Sequence, residues 1–191
     1  MEQGKHLAPI DVTNLIADAV RSVYGSGPVA LHRPFLSRKD MARAIAVVAD
    51  DPVNTHVISC FEEELADACG VAHAVATSSG TAALHLAMLA VGVQQGTRVS
   101  MPPNSFMAAH NAARYCGATV EYSASPAAPV HVAAHIFGAP DPWLQDIARG
   151  AQPYPKDLTL IEDAAEALGS RLYGKPLGSW GDVGIISFNN N

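Results

Sequence analysis

The groups in this sequence best placed for chemistry stand where apolar runs end. Residues 158–163, LTLIED, close on two adjacent carboxylates, Glu162 and Asp163, and Glu166 follows three positions later. Strand side chains alternate between faces, so only one of Glu162 and Asp163 can point at any given ligand. A carboxylate at the end of a buried strand is costly to desolvate unless a cation or a hydrogen-bond donor meets it. A protonated ring nitrogen is one such partner. The plainer reading is that Asp163 caps the turn that follows.

The stretch TSSGTAAL sets Ser78, Ser79, Gly80 and Thr81 between an apolar run and a helical pattern. The free N–H groups and dipole of a helix N-terminus suit an anionic phosphate, and glycine lets the anion approach the backbone. An ordinary strand-to-helix turn capped by Ser or Thr has the same composition. Phe106, after the stiff MPPNS run, opens another helical stretch and can stack on a flat ligand there, although such a Phe is more often core. Ser187 puts a further hydroxyl at the end of the last apolar run, or is simply a solvated strand-end serine. His131 and His135 have the spacing of a metal pair only on a helix. Their stretch reads as a strand and no HExxH pattern accompanies them, so no metal site is expected. His85 and His110 lie in apolar helical stretches and read as satisfied core histidines.

Periodicity gives the elements that must hold these groups. Helical spacing predicts helices over residues 12–23 and 38–49, the second started by Ser37 with Asp40 as a capping box. CFEEELADACG reads as a helix with Phe61, Leu65 and Ala68 on one face, stopped at Gly70. From residue 71 the texture changes to short apolar runs alternating with helical ones. HAVATS, RVSMPP, TVEYS, VHVAAHIFG, LTLIED and VGIISF read as strands, the fourth as strand plus loop. SGTAALHLAMLAVG and SFMAAHNAARYCG read as helices ended by Gly92 and Gly117. DPWLQDIARG reads as a short helix with Asp141 as N-cap and Pro142 at its first position. The alternation predicts an α/β fold with a mostly parallel sheet covered by helices on both faces. Ligands in such sheets sit outside the carboxyl ends of the strands, where the candidate residues lie.

The composition fits this class. Of 191 residues, 49% are apolar and 16% charged, enough to build a core, while aromatics at 6% leave the packing to Ala, Val and Leu. A net charge of -6 offers no basic stripe for nucleic acid. Apolar runs such as AIAVVA are far too short to span a bilayer, and the first residues lack the apolar core of a signal peptide. Cys60, Cys69 and Cys116, without CxxC spacing, read as reduced and mostly buried thiols. A cytoplasmic protein is expected.

The order of the motifs is more specific than any one of them. FEEELADACGVAHAVATSSGTAALHLAMLAVGV, PPNSFMAAHNAARYCGATVEY, HIFG, LIEDAAEALGS and GKPLGSWGDVGIISFN follow one another. The sequence thereby resembles the DegT/DnrJ/EryC1/StrS family, pyridoxal-phosphate sugar aminotransferases of fold type I. The similarity covers most of residues 31–191, and its most specific part is IEDAAEALGS with the GSWGD and SF that follow. LHRP and SFNNN are similar to the branch acting on 4-keto-6-deoxy nucleotide sugars; His32 and Arg33 in LHRP either meet the sugar nucleotide or are plain exposed basic residues.

The resemblance implies an N-terminal helix and linker over residues 1–30, then the N-terminal portion of a cofactor-binding large domain over 31–191. It implies that Gly80 and Thr81, helped by Ser187, hold the phosphate of pyridoxal 5'-phosphate. Phe106 would stack on the pyridine ring and Asp163 would pair with its nitrogen. Glu166, where many relatives have Gln, would lie near the phenolic oxygen. The family's Schiff-base lysine falls three residues after the SF motif plus one, directly after Asn191, and a small C-terminal domain is expected beyond it. The implied activity is amino transfer from an amino acid, glutamate being usual, to a nucleotide-linked keto sugar in amino-sugar and surface polysaccharide biosynthesis, by a homodimer with shared active sites. A His in place of the lysine would imply sugar dehydration instead, and a chain truly ending at Asn191 a non-catalytic cofactor-binding or partner protein. One departure stands out: only ASPAAP joins VEYS to VHVAAHIFG, where relatives have a longer connection with an acidic turn and a helix.

Overall fold

The edges of the sheet decide which strand ends converge. In the computed structural model, residues 12–27, 36–50 and 55–188 are described; His32, Arg33 and Asn189 to Asn191 lie outside them. The chain divides into two units. The first contains a helix, α1 (Val12–Tyr24). The second, from Leu36, holds everything that follows.

It opens with helix α2 (Arg38–Asp50), whose start is the expected capping box: the Ser37 N–H donates to Asp40 and the Asp40 N–H to Ser37 Oγ. Helix α3 (Thr55–Cys69) follows. Its buried side is Ala66 and Cys69, not the expected Phe61, Leu65 and Ala68, because Glu62, one turn before, reaches across to take the Ala76 N–H at 2.7 Å. That bond also explains a second correction. HAVATS forms no strand: a carboxylate takes the hydrogen bond that a ladder would need, and Val75 is exposed.

Helix α4 (Gly80–Ala90), strand β1 (Arg98–Met101), helix α5 (Met107–Tyr115) and strand β2 (Thr119–Tyr122) then alternate as expected. Strand β3 (Val130–Ala134), helix α6 (Pro142–Ala148) and strand β4 (Thr159–Asp163) complete the second half with a hairpin, β5 (Arg171–Leu172) and β6 (Lys175–Pro176), and strand β7 (Val183–Ile185). The last is shorter than VGIISF. Asp141 caps α6 through the Trp143 and Leu144 N–H groups, with Pro142 at its start. Five strands form one parallel sheet in the order β2-β1-β3-β4-β7.

Each face of the sheet has its own core. Val99, Met101, Val132, Ile161 and Ile185 pack against Leu84 and Met88 of α4 and the alanines of α5. Ala133 and Leu160 pack on the other side against Trp143 and Leu144 of α6, with Leu177. Of the cysteines, only Cys69 is buried.

The short connection between β2 and β3 passes β1, which lies between them. It is fastened there. Arg98 of β1 forks onto Glu121 and donates to the Ala127 carbonyl at 2.9 Å, while Ala127 N–H donates to Ser100 Oγ at 3.1 Å. Beneath it His131 is fully buried against Ser100 Oγ (2.9 Å) and the edge of Trp143. Among the described residues no helix is long and apolar enough to cross a membrane.

Candidate active site

Asp163 ends β4 between Ala134 of β3 and Ile185 of β7. It shares the face of Ile161 and Ile185, the side covered by α4. Its carboxylate is 8% exposed and Oδ1 accepts only a long bond, 3.3 Å, from the Ala165 N–H. The turn-capping reading is therefore realised, but weakly. Burial pushes the carboxyl above its ordinary range, more than the Ala165 bond pulls it down. No lysine, arginine or histidine lies within ion-pair distance of it among the described residues. A carboxylate so placed favours a cationic N–H.

Alternation sends Glu162 to the opposite face, where it is fully buried. It accepts from the Gly178 N–H at 2.9 Å, from Trp180 N–H, from Gly181 N–H at 2.6 Å, and from His135 Nε2 at 2.9 Å. His135 Nδ1 in turn accepts the Asp141 N–H at 3.0 Å, so the proton is on Nε2 and the ring is neutral. Burial disfavours the Glu162 charge, yet the bonds from His135 and the glycine N–H groups outweigh it and hold the carboxyl below its ordinary range. Asp163 thus points to the side covered by α4 while Glu162 ties β3 and β4 to the loop that leads into β7. Of the two histidines considered for a metal, His135 is engaged through both ring nitrogens and His131 through Nδ1, and no metal-ligating cluster occurs among the described residues.

Ser79 begins α4, its Oγ taking the Ala82 N–H at 3.1 Å. The Gly80 and Thr81 N–H groups at the helix head have no acceptor within the helix, as at any N-terminus. Gly80 also permits a close approach. A Cβ there would lie 3.0 Å from Ser187 Oγ, so the last hydroxyl and the helix head meet although 107 positions separate them (187 − 80). The donors and hydroxyls converging here suit an anion.

Phe106 stands at the N-cap of α5 with its side chain 74% exposed, which rejects the core reading. It lies on the same carboxyl edge as Asp163, two strands away in the sheet order. Glu166 is exposed and its Oε2 accepts the Phe137 N–H at 2.8 Å. Sequence reading gave Phe137 no role of its own, taking HIFG as the loop after a strand and as one of the family-like motifs. Its backbone is left-handed (φ 53°, ψ 30°), a conformation costing a non-glycine residue roughly 1–3 kcal/mol. The one signal available was the Phe-Gly pair separated from the strand by two residues.

The model of the DegT/DnrJ/EryC1/StrS aminotransferase family matches residues 42–125 and 125–191, its two segments meeting inside the short connection before β3. The chain is 36% identical over 151 residues to the GDP-perosamine synthase of Caulobacter vibrioides, an alignment covering 69% of this chain and 39% of that protein. It is 35% identical over 147 residues to the UDP-4-amino-4,6-dideoxy-N-acetyl-beta-L-altrosamine transaminase of Campylobacter jejuni, covering 68% and 38%. Among solved structures it resembles DesI crystallised in the presence of its TDP-sugar product, with a TM-score of 0.62 and 28% identity over 83% of this chain and 46% of that one. The chain spans about two fifths of the length of these curated relatives.

Proposed function

The chain belongs to the DegT/DnrJ/EryC1/StrS aminotransferase family, and on that premise we propose that it serves a pyridoxal-phosphate-dependent amino transfer from glutamate to the C4 ketone of a 6-deoxy sugar nucleotide. The observation that supports this most is Asp163, a nearly buried carboxylate at a strand end with no cation beside it among the described residues. A pyridinium N–H is the partner it lacks. The convergence of Gly80 and Ser187 at the head of α4 fits the phosphate of the same molecule.

The residues present then have separable tasks. Gly80 and Thr81 bind the phosphate through backbone N–H groups, and Ser187 adds a hydroxyl. Phe106 lies against the ring face and excludes water from it. Asp163 holds a proton on the ring nitrogen, because a buried carboxylate stabilises a cation more than water does. Glu166 would stand beside the phenolic oxygen. The bound cofactor supplies an electron-withdrawing ring and a carbon that accepts the amino group from one substrate and yields it to the other. Fixing phosphate, face and nitrogen together orients the donor's α-hydrogen, the positioning that provides much of a catalyst's effect.

The remaining parts of the reading are proposals on the same footing. Residues 31–191 are the N-terminal portion of the large domain, and the segment before it, which includes α1, lies outside that domain. A lysine directly after Asn191 moves the proton, a small domain follows, and a cytoplasmic homodimer completes the sites. The names of the relatives, a GDP-perosamine synthase and a UDP-sugar transaminase, support a nucleotide-linked acceptor.

The test is a two-stage assay on the protein made from its natural gene. Loaded protein given glutamate should release 2-oxoglutarate, and addition of a 4-keto-6-deoxy sugar nucleotide should give the 4-amino sugar. Absence of oxoglutarate would sink the reading; a deoxygenated keto sugar without net amination would make the protein a dehydratase.

A further inference from the structure

Among the described residues two that are not glycine have a left-handed backbone, Tyr173 (φ 47°) and Phe137 (φ 53°). Tyr173 is accounted for. With Gly174 it makes the two-residue turn joining β5 to β6, where strand twist favours two positive φ values in succession. Phe137 has no hairpin to serve. It forms, with Gly138, a turn closed by the Ala139 N–H on the Ile136 carbonyl at 3.0 Å, on the way from β3 to α6.

Burial of the ring does not offset the strain either. Phe137 is 86% exposed, more than any other large hydrophobic residue described. A bulky residue held in a disfavoured conformation with its ring in solvent is the arrangement expected where the ring meets a ligand.

The candidate site itself holds the turn. The Phe137 N–H is taken by Glu166 Oε2 at 2.8 Å, and the His135 N–H donates to the Asp163 carbonyl at 3.0 Å. On the reading above, on which this step rests, Glu166 adjoins the cofactor's phenolic oxygen. In pyridoxal the carbon bearing that oxygen is next to the one bearing the reactive aldehyde. In the second stage that carbon would carry the amino group, and the acceptor's ketone carbon must reach its nitrogen. A residue whose backbone N–H Glu166 holds therefore stands near the part of the acceptor around its ketone, the hexose, and not near the base at the far side of the diphosphate.

We propose that Phe137 is a specificity-determining residue that packs against the apolar face of the acceptor's 6-deoxyhexose, and that Glu166 holds it in place through its backbone. The C–H groups of one hexose face and the 6-methyl present to an aromatic ring the surface that hydroxyls deny it.

The experiment measures binding by calorimetry to the cofactor-loaded protein made from its natural gene. The probes are the GDP-, UDP- and dTDP-linked 4-amino-4,6-dideoxyhexoses and the three free nucleoside diphosphates. Phe137→Ala should weaken the preferred amino-sugar nucleotide about tenfold and leave its nucleoside diphosphate within about twofold. Phe137→Tyr, which keeps the ring, should bind as the wild type does. In turnover the alanine variant should raise KM for the sugar and leave the glutamate stage unchanged. Equal weakening of sugar nucleotide and diphosphate, or no weakening of either, would overturn the role of Phe137 alone. Failure of the wild type to bind any of the sugar nucleotides, while it still takes the amino group from glutamate, would overturn the acceptor class and this proposal with it.

Discussion

His135 Nε2 donates to Glu162 Oε2 at 2.9 Å with both side chains wholly shielded from solvent, and the bond joins a neutral imidazole to a carboxylate. The single buried charge is met by one imidazole and three backbone N–H groups. That suffices to hold it, and it fastens the 178–181 loop behind the strand that presents Asp163. Each carboxylate oxygen accepts from two of these donors, so Glu162→Gln would set an amide N–H group against two of them. We expect it to destabilise the protein by about 3 kcal/mol, read as a lowered urea midpoint. An unchanged midpoint would show that the hub contributes no stability.

Asp163 works in the opposite sense. Burial raises its folded-state carboxyl above the ordinary 3.8, so its stability contribution is complete below that value and is lost as pH rises through the raised one. At neutral pH the ionised group therefore weakens the cofactor-free fold. Asp163→Asn should raise the Tm of cofactor-free protein while amino transfer is lost. A variant that is less stable, or still active, would contradict the assignment.

Gly80 offers a test of the helix head. Alanine at an ordinary helical position improves stability by up to about 1 kcal/mol. Here the added methyl would press on Ser187 Oγ from 3.0 Å. Gly80→Ala should leave Tm nearly unchanged and weaken cofactor affinity by about tenfold, as followed by the cofactor's visible absorbance. The double variant with Ser187→Gly should recover less than additive loss, since the two positions share one contact.

His131 sets an acid limit on the fold. Burial lowers its pKa to about 4, against 6.5 in the open. The folded ring stays neutral while the unfolded one takes up a proton, so its contribution is complete above 6.5 and is lost as pH falls toward 4. The wild type should lose up to about 3 kcal/mol across that window by urea unfolding, and His131→Phe correspondingly less. Parallel pH profiles for the two proteins would contradict it.

Most of the fold was legible because the parallel strands, buried on both faces, announce themselves as short apolar runs between helical ones. The helix starts at Ser37, Ser79 and Asp141 were legible for the local reason that their side chains meet backbone N–H groups within three residues. HAVATS failed because a strand needs a partner that its own residues do not encode, and Glu62 took the hydrogen bond instead. Alternation indicated that only one of Glu162 and Asp163 could face a ligand. It could not say which, because that follows from the side on which α4 packs. The hub around Glu162 was invisible, since it depends on a loop 16 to 19 residues away, and so was the backbone of Phe137.

The central claim is that this site holds pyridoxal phosphate for amino transfer, and one measurement reaches it most directly. The protein made from its natural gene is reduced with borohydride, digested, and the peptide running through Asn191 is sequenced by mass spectrometry. A pyridoxyl-modified lysine directly after Asn191 is the predicted result. A histidine there, or a chain that stops at Asn191, would contradict it.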